Sequence, residues 1–252
     1  MGRFIAGFAA SLLLALGATS ARATEIKLIS SVGVRGVMEE LVPAFEKSSG
    51  VKVNVVFGSA AALKTKIDAG ETFDVAVLSP AQIDDAIKQG KAGGQRVDIA
   101  KAGCGIALPA GAPVPDISTD DKLKTFLLGA KSISYSDPAL GGFSAVYFTK
   151  LITRLGIADD VKARTTYVQP GEGASLVAKG TAEVGVGLLS EIVPIKGVRA
   201  VPLKPEDPAT FNAFATASGA GAVANDAAKA LIAYLQSPAA REVIKAQGMS
   251  AP

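Results

Sequence analysis

Apolar and polar positions along the chain switch repeatedly between a strand period and a helix period. Ile26 to Ile29 is a short apolar run. Val34, Val37, Met38, Leu41 and Phe45 follow at helical spacing and predict one buried stripe, with Glu39, Glu40, Glu46 and Lys47 on the solvated face. Ser48-Ser49-Gly50 ends that helix. Val51 to Phe57 reads as a second strand, and Gly58-Ser59-Ala60-Ala61-Ala62 as its turn into a helix that runs through Leu63 and Ile67 to Gly70. Phe73 to Leu78 is a third strand, apolar enough to be buried on both faces. Ser79-Pro80 then supplies an N-cap and a first-turn proline for a helix to Gln89. Strand alternating with helix in this way predicts an α/β fold built on mostly parallel sheets.

The texture changes at Ala102-Gly103-Cys104-Gly105, where an apolar strand leads to Pro109 and a loop holding Gly111, Pro113 and Pro115. A second α/β unit follows. It has a helix near Asp121 to Leu128, a strand over Ser132 to Tyr135, and a loop from Ser136 to Ser144. Next come a helix with Phe148, Leu151, Ile152 and Leu155 on one face, and a strand over Thr165 to Val168. Gly171 to Ser175 opens a further helix, and Val184 to Leu189 is the next strand. Val198 to Leu203 is expected to return the chain to the first unit, where helices near Ala224 to Gln236 and Pro238 to Gln247 would pack.

The N-terminus has the pattern of a secretory leader. Arg3 precedes an apolar stretch from Phe4 to Leu16, and Ala21-Arg22-Ala23 fits a small-x-small cleavage site, so cleavage is expected after Ala23 and the protein in the periplasm. The apolar run falls short of the ~20 residues of a spanning helix, and no membrane span is expected in the mature chain. Two of the 26 basic residues, Arg3 and Arg22, fall in the leader, leaving 24 against 23 acidic ones. A nucleic-acid partner would call for a basic excess, which this balance lacks. Cys104 is the one cysteine, so no intrachain disulfide forms, and it reads as a small core residue. The chain has no histidine, which removes Ser-His-Asp and Cys-His catalysis and the commonest zinc ligand. No metal and no cofactor is expected, and a monomer is.

One turn, Ser30-Ser31-Val32-Gly33-Val34-Arg35-Gly36, concentrates hydroxyls and glycines at the start of a helix. Free N–H groups and the positive end of the helix dipole suit such a place to an anion. Ser31, Val32 and Gly33 are candidate contacts, and Arg35 could pair bidentately with a planar anion such as a carboxylate. The turn at Ser59-Ala60 lies at another strand's carboxyl end and faces the same space, where α/β sheets bind ligands. Gly142, Phe143 and Ser144 could add N–H groups and a hydroxyl from the opposite side. Glu172 also starts a helix and would repel an anion if it faced the cleft.

The mature chain resembles the periplasmic molybdate-binding proteins, within the two-lobed solute-binding proteins of ABC transporters. The resemblance rests on the opening strand and serine turn, Leu41 to Val53, Phe57-Gly58-Ser59, Phe73-Asp74-Val75, Asp137-Pro138 ahead of Tyr147, and Leu235 to Glu242. It implies two lobes, residues 24–104 plus 200–252 and residues 105–199, each a mostly parallel sheet flanked by helices. The ligand would lie between them, with hinges near Gly103 to Pro109 and Gly197 to Leu203. The family's hydroxyl-bearing ligand positions fall at Gly33, Ala60 and Leu188, which carry none, with Ser31 and Ser59 close by. The resemblance therefore implies a binding protein that captures a molybdate-like oxyanion or a small organic anion and hands it to a transporter permease, without bond chemistry. The alternatives are a periplasmic sensor module and a secreted hydrolase using Asp74, Asp137 or Glu172; the expectation is that the protein is not an enzyme.

Overall fold

The computed structural model describes residues 24–252, so the expected leader lies outside the described residues. β1 (Glu25–Ser31) runs through a 3-10 turn at Val32–Val34 into α1 (Arg35–Ser49). β2 (Lys52–Gly58), α2 (Ala60–Asp68), β3 (Val75–Leu78) and α3 (Pro80–Lys88) follow. β1 pairs in parallel with β2 on one side and β3 on the other. Both serine turns therefore leave the same sheet edge at strand carboxyl ends. The α1 stripe of Val37, Met38, Leu41 and Phe45 is buried, as its spacing dictates.

The next strand is longer than the sequence suggests. β4 (Ala92–Pro109) is continuous over 18 residues and serves two sheets. α4 (Asp120–Gly129), β5 (Ile133–Ser136), α5 (Phe143–Arg154), α6 (Ala158–Lys162), β6 (Thr165–Val168) and α7 (Ser175–Ala178) come next. β7 (Val184–Leu188), α8 (Leu189–Ile192) and β8 (Val198–Pro202) complete the second sheet. There β7 and β8 lie antiparallel to Cys104–Pro109 of β4, and β5 lies parallel to both β6 and β7.

Val198 to Leu203 does not return to the first unit, as the sequence reading expected. β8 is a strand of the second sheet, held along the far half of β4. The return is made by β9 (Phe211–Gly219), which lies between β3 and the first half of β4 and is antiparallel to both. The sequence reading had no strand here. Phe-Asn-Ala-Phe-Ala-Thr-Ala-Ser-Gly is made mostly of small residues with weak strand preference. What makes it a strand is its central place, with Phe214 to Gly219 buried between the covering helices. α9 (Asp226–Leu235) and α10 (Pro238–Ala246) then close over the first sheet. One apolar core runs through both units by way of β4, from Ile26 and Phe45 through Ile106 to Phe148 and Val184.

Candidate functional site

The two units meet at the carboxyl ends of β1, β2, β5 and β7. From the first unit, Ser31, Val32, Gly33, Ser59 and Ala60 face a small cavity. From the second, Gly142, Phe143, Ser144 and Leu188 face the same cavity. Nine of the ten residues named from sequence thus come together. The cavity offers about 20 Å³ to the centre of a water molecule, against ~10–15 Å³ for one water and ~300–1,000 Å³ for a drug-sized site. It is the size of one compact ion.

Each wall is set by local chemistry. Ser59 caps α2, its Oγ accepting from Ala62 N–H at 3.2 Å. Gln82, from the capping box of α3, donates to the Ala60 carbonyl at 2.7 Å and fixes that turn from behind. Ser31 Oγ accepts from Gly33 N–H at 3.3 Å. In both serines the hydroxyl oxygen serves the backbone, which leaves the O–H free to donate. Gly142 stands at the N-cap of α5 and makes no side-chain cap, so the first N–H groups of this 12-residue helix need partners. Ser144 and Ser136 are buried and line the cavity.

The units are shut on each other. Ser190 Oγ donates to the Gly33 carbonyl across the boundary at 2.7 Å. Gly141 lies directly against Ala61 of α2. Gly33 has no room for a side chain: a Cβ there would sit 2.8 Å from Leu188 Cδ1 and 2.7 Å from Phe214 Cζ. Leu188 fills the volume next to Gly33, so the two positions are matched in size. Gly173 packs so closely on the Val186 carbonyl that no Cβ could be carried, which lays the 170–174 segment flat on β7 and brings Pro170 and Gly171 to the cavity.

Arg35 does not join the cavity, contrary to the sequence expectation. Its guanidinium lies 4.4 Å from the Phe57 ring centroid and 3.7 Å from Glu39 Oε1, with half of the side chain exposed. The physical reason is local: the ring face and an i+4 carboxylate both lie within reach of the first residue of α1 and hold the cation on the outside. Arg35, Glu39 and Glu172 instead line an outer hollow of about 340 Å³.

Five cavity residues escaped the sequence reading as site residues: Ser136, Pro170, Gly171, Glu191 and Asn212. Ser136 had a signal, since it ends a strand just before the Gly141-Gly142 turn. Asn212 had none, because its strand was not recognised. Glu191 stood beside Ser190 at a strand end and was passed over. Its Oε2 accepts from Leu188 N–H at 2.8 Å, while Oε1 makes no hydrogen bond among the described residues and lies toward Gly171. Burial pushes its pKa up to about 7, against the lowering effect of the Leu188 N–H. Cys104, buried nearby, has its thiol pushed up by burial and then by the Glu191 charge, so it stays protonated. No cluster of three metal-ligating side chains occurs among the described residues.

Comparison with known proteins places this geometry. A family model described as bacterial extracellular solute-binding protein matches residues 26–250. Aconitate isomerase of a Pseudomonas species is 29% identical, over 90% of this chain and 87% of its own. Molybdate-binding protein ModA of Azotobacter vinelandii is 27% identical, over 94% of this chain and 96% of its own. The solved periplasmic molybdate-binding protein of Azotobacter vinelandii superposes with a TM-score of 0.73 at 20% identity, covering 90% of this chain and 99% of that one. The isomerase corrects one expectation. The resemblance to binding proteins, with no histidine in the chain, led to the expectation that the protein is not an enzyme, yet a relative spanning nine-tenths of the chain is named as one. Proton transfer needs only one suitable base, and a carboxylate serves as well as an imidazole when its pKa lies near neutral.

Proposed function

The chain belongs to the bacterial extracellular solute-binding proteins, and from that membership we propose that it captures a compact anion between its two units and delivers it to an ABC-type transporter permease. The observation that carries this reading is the cavity itself: about 20 Å³, with the starts of α2 and α5 opening onto it from opposite units and four buried serines in its wall. N–H groups and hydroxyls brought from two bodies to the wall of one small cavity suit an oxyanion, because each half-site alone leaves its donors to water. In this reading the sequence-based lobes, residues 24–104 plus 200–252 and residues 105–199, are the moving bodies, with one hinge in the β4 crossing; because β8 lies in the second sheet, the second hinge falls after Pro202, between β8 and β9. Opening would separate the Ser31 and Ser59 turns from Gly142 to Ser144 and release the ion. The expected leader would place the protein in the periplasm. The Azotobacter molybdate-binding relative supports an oxyanion of this size class.

A second reading is favoured by the Glu191 carboxylate in the wall. The name of the Pseudomonas relative raises a proton shift on a bound unsaturated polycarboxylate. A six-carbon acid would need the units to part, since the cavity is far too small for it. One experiment separates the readings. The mature protein is screened by thermal shift and calorimetry against molybdate, sulfate, phosphate and both aconitate isomers, and the aconitate samples are followed for interconversion. Tight binding of a tetrahedral anion without effect of aconitate supports capture of a compact ion; turnover of aconitate with no tetrahedral anion bound would overturn it.

A further inference from the structure

One short helix of the second unit, α8, meets the first unit at three places together with the turn that follows it. Ser190 Oγ donates to the Gly33 carbonyl at 2.7 Å, and both residues are buried. At the start of α1, a Cβ on Gly36 would lie 3.4 Å from Pro194 Cγ. After α10, a Cβ on Gly248 would lie 2.8 Å from Val193 Cγ2 and 3.3 Å from the Leu189 carbonyl oxygen. At Gly33 and Gly248 there is thus less than a methyl group's room between the units.

These contacts join protein to protein. A buried hydrogen bond and close packing across a boundary favour the shut arrangement by themselves, whatever the cavity holds. α8 is also well placed to follow any movement of the second unit. Leu189 packs on Gly103 and Gly105, where β4 crosses between the sheets, and Leu188 just before it lines the cavity. A hydrogen bond as short as that of Ser190 is lost once its partners separate by about 1 Å, so even a small rotation about the crossing has to break it.

We propose that α8 is a latch that keeps the two units shut in the solute-free protein, with Ser190 and the Gly33 carbonyl as its catch. The proposal goes beyond the capture reading, because it concerns the protein before any solute arrives. For a captured anion it has two consequences. Entry is possible only during openings, so association is slowed by the fraction of time spent shut. The shut form alone does not report that the cavity is occupied, since solute-free and loaded protein share it.

The test is small-angle X-ray scattering of the full mature protein, dialysed exhaustively and shown by native mass spectrometry to carry no solute. Its profile is compared with the one calculated from the shut structure, which the wild type should fit. Ser190→Ala removes the donor and keeps a good helix former in α8; it should move the open-to-shut ratio about tenfold toward open. Val193→Ala thins the contact on Gly248 and should shift the ratio the same way by about threefold, with the double variant more open than either. Val193 is 43% exposed, so its variant carries the test if Ser190→Ala does not fold. A wild type that is mostly open without solute would overturn the latch. Single and double variants that stay as shut as the wild type would overturn it equally, by showing that other contacts hold the units. Since no anion is added, neither result bears on the capture reading, which stands or falls by its own binding screen.

Discussion

The inner cavity and the outer hollow above it are separated by Glu191, and they differ in how charge is used. The hollow is open, about 340 Å³, and holds formal charges on Arg35, Glu39 and Glu172. The cavity is far smaller, about 20 Å³, and apart from Glu191 its polar wall is made of neutral dipoles. Exposed ion pairs are worth little, because water and salt screen them. Buried N–H and O–H groups that cannot reorganise are worth far more. The charged residue most obvious in the sequence is therefore in the weaker place.

The sharpest way to break this contrast is Gly33→Ser, which puts a hydroxyl at a family ligand position. With Leu188 and Phe214 already against that point, the new side chain should force the closed units apart and weaken anion binding by about 3 kcal/mol. Adding Leu188→Ala should recover most of the loss, as expected for contacting residues. Tighter binding in the single variant would mean that the wall yields and that the size match is unimportant.

Next in size is the effect of Glu191 on stability, read without ligand. An unfolded glutamate ionises near 4.5, whereas the folded one ionises at about 7. Between these values the folded protein holds a proton that the unfolded chain has lost, so stability falls as pH rises from about 4.5 to about 7 and stays low above it. Glu191→Gln should remove that fall, a relative gain of about 2 kcal/mol at pH 8 over pH 4 once its partial exposure is allowed for. Urea titrations at both pH values measure it, and an unchanged difference would show that the carboxyl is well solvated.

Ser59→Ala should weaken anion binding by about 1.5 kcal/mol through the lost O–H donor, and cost about 1 kcal/mol of stability through the lost cap on Ala62. Calorimetry and thermal melts report the two separately; a stability loss with unaltered affinity would confine Ser59 to its capping role. The smallest effect belongs to Arg35→Ala, which should change affinity by less than about 0.5 kcal/mol, since its ion pair is exposed and its guanidinium stacks on Phe57. A large loss would move the centre of binding from the cavity to the hollow.

Much of the architecture was legible because it is written in local periods. The stripe from Val37 to Phe45, the Ser79-Pro80 start of α3 and the Ser237-Pro238 start of α10 are all signals confined to a few neighbouring residues. Strand-end turns were legible for the same reason, and Ser31, Ser59 and Gly142 to Ser144 do face one cavity. β9 was not legible, because a strand of small residues takes its shape from β3 and β4 on either side. Asn212 was hidden with it. β8 was placed on the wrong sheet, since nothing within Val198 to Pro202 says which edge of β4 it will join.

By itself, then, the sequence determined the alternation of strands and helices, the position of the turns, and the lack of histidine. These depend on each residue and its near neighbours, through side-chain period, caps and glycine. Only the tertiary structure decided which charged group stands at the cavity. Arg35, four residues past Ser31, is turned outward by Phe57 and Glu39. Glu191, 160 positions along the chain from Ser31, is folded into the wall by Leu188 N–H and the closure of Ser190 on Gly33. Direction and burial are set by contacts between distant segments, and with them the pKa of the carboxyl in the wall.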